Sequence, residues 1–120
     1  MYEVKKTFEI SAAHWLALDY ESKCSNLHGH NWIITVYLKA YELNKSGMVM
    51  DFTEIKQKIK SKLDHKILND VLDFNPTAEN LAFFICDSLS PHCFRVDVTE
   101  SENNTASYWR EHELQSSRNI

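Results

Sequence analysis

Val4, Lys6, Phe8, Ile10 and Ala12 alternate with Lys5, Thr7, Glu9 and Ser11, the period-two pattern of a half-buried strand. If the alternation persists, His14 falls on the apolar side. Residues 15–27 are polar and read as a connection. From His30 a second strand runs through Trp32, Ile34, Val36 and Leu38, which share the parity of His28 and His30. Gly47 closes a turn with Asn44, Lys45 and Ser46. The period then changes: Phe52, Ile55, Ile59 and Leu63 recur at helical spacing, with lysines on the other faces and Asp51 as N-cap. A second helix opens after Pro76, capped by Thr77, buries Leu81, Phe84, Ile85 and Leu89, and stops before Pro91. Residues 94–100 and 106–112 read as a closing hairpin, with Phe94, Val96, Val98 and Glu100 on one face. Two hairpins separated by two helices predict an α+β layer in the order ββααββ, a four-stranded antiparallel sheet with both helices on one face. Such a sheet has open edges, which a second copy can pair.

Composition narrows the class. At 120 residues the chain is read as a single domain, 1–120, ending in a polar tail over 115–120. A net charge of −4 with acids and lysines interspersed offers no basic face for nucleic acid. The first residues carry no apolar run of a secretory leader, and no stretch approaches the roughly 20 apolar residues that span a bilayer. Three cysteines, without framework spacing, predict reduced thiols and a cytoplasmic setting.

The chemistry concentrates in Cys24-Ser25-Asn26-Leu27-His28-Gly29-His30. In an extended strand His28 and His30 share a face roughly 6.5–7 Å apart, so both imidazoles can converge on one ion. With His14 they make three nitrogen ligands, the pattern of a catalytic zinc site that keeps a fourth position open. Gly29 leaves the opposite side clear for a ligand or another backbone. Cys24, beside Lys23, is a candidate nucleophile; a small buried cysteine is the alternative. Asp64-His65 sets a carboxylate beside an imidazole suited to proton transfer, provided the first helix ends there; a plain helix-end histidine is the alternative. Glu100 is out of place on an apolar strand face, and either meets water at the strand end or accepts paired N–H groups from a ligand. Cys86 and Cys93 read as packing residues, and His92 and His112 as solvated.

Five segments in order carry a resemblance: Cys24-x-x-x-His28-Gly29-His30, Gly47-Met48-Val49-Met50-Asp51-Phe52, Leu63-Asp64-His65-Lys66-Ile67-Leu68-Asn69, Asn75-Pro76-Thr77-Ala78-Glu79-Asn80 and Val98-Thr99-Glu100. Together they resemble the 6-pyruvoyltetrahydropterin synthase family, most closely its bacterial 6-carboxy-5,6,7,8-tetrahydropterin synthase branch of queuosine biosynthesis. The resemblance implies the tunnelling T-fold and a homo-oligomer, trimer or hexamer, with active sites between subunits. It implies one zinc ion per subunit on His14, His28 and His30, Cys24 as catalytic thiol, Asp64 and His65 as its proton-transfer partners, and Glu100 as the pterin anchor. The implied reaction converts 7,8-dihydroneopterin triphosphate and water to 6-carboxytetrahydropterin, acetaldehyde and triphosphate. The three-residue gap before His28 resembles this branch. The pyruvoyl-forming synthases usually space that cysteine further away, and a folate-pathway branch generally has glutamate there. The alternatives are a triphosphate-eliminating pyruvoyltetrahydropterin synthase and, from another class, a zinc-binding pterin module without turnover.

Overall fold

The computed structural model describes residues 1–110; the predicted tail and His112 lie outside them. Strand β1 (Tyr2–His14) pairs antiparallel with β2 (His28–Ala40) along its whole length, from Tyr2 opposite Ala40 to His14 opposite His28. Helix α1 (Phe52–Leu63), a two-residue strand β3 (Lys66–Ile67), a one-turn helix α2 (Leu68–Val71) and helix α3 (Ala78–Leu89) follow, then β4 (Cys93–Ser101) and β5 (Asn104–Trp109). The sheet order is β3-β1-β2-β4-β5. The predicted α+β class therefore holds, with a fifth strand and a third helix added. Both additions are too short to leave a period in the sequence.

One face of the sheet packs against α1 and α3. Phe8, Ile10, Ala12 and His14 from β1 and Trp32, Ile34, Val36 and Leu38 from β2 are buried there, as their parity requires. Ile55, Ile59 and Leu63 from α1 and Leu81, Ile85 and Leu89 from α3 close the layer. Burying residues such as Ile34, Val36 and Leu38 contributes about 1.5–3 kcal/mol each. Both predicted caps form: Asp51 accepts from the Thr53 N–H, and Thr77 from the Asn80 N–H. Gly47 adopts φ 81° in its turn, a conformation that favours glycine.

The other face is polar. There Arg95 lies 4.6 Å from the Tyr37 ring centre and 4.5 Å from that of Trp109, and its Nε donates to Asp97 at 3.0 Å. Phe94 does not share the Val96 face as its parity predicts. The β2–β4 pairing shifts register between Tyr37 and Leu38, so Cys93 takes the core position and Phe94 packs near Tyr37 and Trp109. Among the described residues no helix is long and apolar enough to cross a membrane.

Candidate metal centre and active site

The β1–β2 register builds the histidine cluster. His14 stands opposite His28, and His30, two residues along, shares their face, so three imidazoles meet at one end of the ribbon. Their ring centres lie 4.6 Å (His14–His28), 5.2 Å (His14–His30) and 4.8 Å (His28–His30) apart. One potential ligand atom from each lies within 4.8 Å of the others. Trp32 forms the floor, edge-on to His14 at 4.9 Å and to His30 at 5.2 Å, and is itself held by an N–H bond to the Ala12 carbonyl.

Two backbone carbonyls orient the rings. The Pro76 carbonyl lies 2.8 Å from His14 Nδ1, and the Asn26 carbonyl 2.7 Å from His28 Nδ1. Since a carbonyl only accepts, Nδ1 carries the proton in both rings and Nε2 presents a lone pair. His14 Nε2 and His30 Nε2 are buried without a hydrogen-bond partner. Such orphaned atoms are costly unless something else occupies the space between them. Burial holds the His14 imidazole below its usual range, with neighbouring histidines adding to the effect. Burial also lowers His30, against the opposing pull of Glu100. Neutral imidazoles with free lone pairs are what a metal ion requires, so the residues present fit zinc.

Glu100 does not sit in water at the strand end alone. Its carboxylate oxygens lie 3.8 Å from His14 Nε2 and 3.7 Å from His30 Nε2. It also lines a cavity of about 450 Å³ with Leu16, Leu18, Thr77, Asn104 and Thr105. That volume falls in the range of small-molecule sites. The carboxylate thus faces the histidines on one side and a ligand-sized hollow on the other.

Asp64 and His65 are brought together, but elsewhere. Helix α1 ends at Leu63, and His65 turns into the left-handed region at φ 58°, unusual outside glycine. The reversal sends the His65 N–H to the Ser11 carbonyl at 2.7 Å, while Asp64 Oδ1 accepts the Ser11 N–H at 2.9 Å. The second carboxylate oxygen lies 3.5 Å from both His65 Nε2 and Lys60 Nζ. The Ser11 N–H, then His65 and Lys60, hold the Asp64 carboxyl below the usual carboxylate range. The His65 side chain is 81% exposed and lines an open cavity with Ser11, Ala12, Ala13, Gly29, His30 and Asn31. The lining takes residues of both parities, His30 among them, so the pair stands at the edge of the ribbon beside Ser11 rather than on one face. Within one chain a Cβ at Gly29 meets only the Ala12 carbonyl at 4.0 Å, so own-chain packing does not demand glycine there.

Cys24 sits half-buried in a 3₁₀ turn, Lys23–Ser25, capped by Ser22. Cys86 and Cys93 are buried, as packing residues should be, and His92 is exposed. The orienting carbonyls of Pro76 and Asn26 had no signal in the sequence, because backbone groups carry none.

Comparisons with known proteins identify the family. Residues 3–111 match the family model described as 6-pyruvoyl tetrahydropterin synthase. The 6-carboxy-5,6,7,8-tetrahydropterin synthase of Bacillus subtilis is 30% identical over 123 residues, covering 89% of this chain and 84% of that protein. The 6-pyruvoyl tetrahydrobiopterin synthase of Dictyostelium discoideum is 41% identical over 98 residues, covering 72% and 73%. The structure of Caenorhabditis elegans 6-pyruvoyl tetrahydropterin synthase superposes with a TM-score of 0.74 at 26% identity, covering 91% of this chain and 95% of that one.

Proposed function

Because this chain belongs to the 6-pyruvoyl tetrahydropterin synthase family, we propose that it is a zinc-dependent 6-carboxy-5,6,7,8-tetrahydropterin synthase of queuosine biosynthesis. The observation that carries this reading is the pair of orphaned Nε2 atoms on His14 and His30, facing Glu100 beside a cavity of about 450 Å³. His14, His28 and His30 would hold the zinc ion through Nε2. Zinc bound there would supply Lewis acidity, lowering the pKa of substrate hydroxyls and stabilising enediolate-like charge.

The chain's own groups do the rest. Glu100 accepts the pterin's amide N–H and 2-amino group, a flat two-donor edge that a carboxylate matches bidentately. Because Glu100 borders both the cavity and the histidines, a ring held by it directs its side chain toward them. Cys24 as thiolate takes a proton from that side chain, and His65, held by Asp64, moves another between carbon and oxygen. The products are 6-carboxytetrahydropterin, acetaldehyde and triphosphate. The short Cys24-to-His28 spacing favours this outcome; similarity to the Dictyostelium protein favours the pyruvoyl-forming reaction as the second reading.

The exposed His65 and the open sheet edges support a homo-oligomer, trimer or hexamer. The His65 side chain is 81% exposed at the ribbon's edge, open to a neighbouring copy, which would bring its own pair to the site. Among the described residues β5 has no strand on its outer side, and β3 covers β1 only at Ala12 and Ala13. These edges are suited to pairing between copies. Three unpaired cysteines are in keeping with a reducing cytoplasm.

The test is incubation of the zinc-loaded protein with 7,8-dihydroneopterin triphosphate and identification of products by mass spectrometry. Carboxytetrahydropterin with acetaldehyde is expected. Pyruvoyltetrahydropterin would move the chain to the second reading, and an unconsumed substrate with zinc bound would leave a binding module.

A further inference from the structure

Residues 15–17 leave the end of β1 and lead toward the Cys24 turn, yet their backbone N–H groups remain paired. Asn69, on α2, accepts the Trp15 N–H through Oδ1 at 2.9 Å and donates Nδ2 to the Trp15 carbonyl at 2.9 Å. Asn75 treats Ala17 in the same way, at 2.8 Å and 3.2 Å. Each primary amide thereby stands in for a residue of a neighbouring strand, with one donor and one acceptor in a plane. Between them the Leu16 N–H points to the other side, as strand alternation requires, and donates to the Cys24 carbonyl at 2.9 Å. The strip is gripped on one edge by two asparagines and on the other by the backbone of Cys24 itself.

Asn75 is fixed in turn. Its carbonyl accepts from the Thr77 N–H at 2.9 Å and from Asn80 Nδ2 at 2.9 Å. The next carbonyl, that of Pro76, holds the His14 ring. One turn therefore ties the histidine cluster and the cysteine loop to a common support.

We propose that Asn69 and Asn75 are positioning residues that hold Cys24 in register with His14, His28 and His30. The inference rests on the catalytic role proposed for Cys24. Neither asparagine needs to touch the substrate; each acts by denying the 15–24 loop alternative placements. Displacing a reacting group by about 1 Å costs on the order of 100-fold in rate.

The test uses the zinc-loaded full chain carrying Asn69→Ala, with Asn69→Asp and Asn75→Asp as gentler variants. An aspartate keeps the acceptor and loses the donor. Amide exchange, zinc content, kcat and KM are measured on each. The Leu16 amide is the discriminating probe, because its own acceptor on Cys24 is untouched by the substitutions. In Asn69→Ala its exchange should accelerate about tenfold or more and kcat should fall about 10- to 100-fold, with KM within about twofold and zinc retained. The aspartate variants should fall between. Unchanged Leu16 exchange, or faster exchange with unchanged kcat, overturns the proposal. Wild-type protein that binds zinc but never consumes the pterin defeats the proposed function instead, and the exchange data then judge the clamp alone.

Discussion

His14, His28 and His30 meet because an antiparallel register places His14 opposite His28 and puts His30 two residues along on the same face. Asp64 and His65 meet because a helix ends and a histidine turns left-handed beside Ser11, at the edge of the same ribbon. The first cluster is internal to one chain and floored by Trp32, with His14 buried and His28 and His30 half-buried. The second is local to a helix end, and its histidine is open to solvent. A rigid sheet fixes the separations within the first cluster; the second, at an exposed corner, is the pair we propose another copy of the chain uses.

The contrast is broken most severely at the first cluster. His30→Ala should lower zinc affinity by more than about 100-fold, beyond the usual cost of losing an outer orienting group, and abolish turnover. Equilibrium dialysis against a zinc chelator measures it, and the circular dichroism of the sheet should survive. Next comes Glu100→Gln, which keeps the shape and removes the charge. KM should rise about 10-fold or more, with zinc content unchanged, since one pterin donor is then poorly matched. The smallest effect is on stability and appears in acid, at Asp64. Asp64 has a folded pKa below its ordinary 3.8, mainly through the Ser11 N–H. Its contribution to stability is complete above the unfolded pKa and disappears as pH falls through the lower folded value. Denaturant unfolding of Asp64→Asn should therefore depend less steeply on pH below about 4 than the wild type does.

The first cluster was also the more legible in sequence. Alternation from Val4 to Ala12 and from His30 to Leu38 was enough to put the three histidines on one face, because strand parity is a property of position alone. The caps at Asp51 and Thr77 were legible for a similar reason: they act within three residues. What depends on distant partners was not. The strand Lys66–Ile67 exists only because Ala12 and Ala13 lie beside it. The register shift near Phe94 follows from a strand more than 50 residues away. Asn69 and Asn75 stood inside recognised segments, but their partners, the backbones of Trp15 and Ala17, leave no mark in the identity of any residue.

The central claim, that one chain's histidines and cysteine work with another chain's Asp64 and His65, is tested most directly by mixing. Cys24→Ala and His65→Ala proteins, each zinc-loaded and inactive alone, are unfolded together and reassembled, then assayed with 7,8-dihydroneopterin triphosphate. Random assembly should restore about a quarter of wild-type sites, those pairing an intact cysteine with an intact histidine from a neighbour. Mixed oligomers no more active than their parents would contradict the account and return the whole site to a single chain.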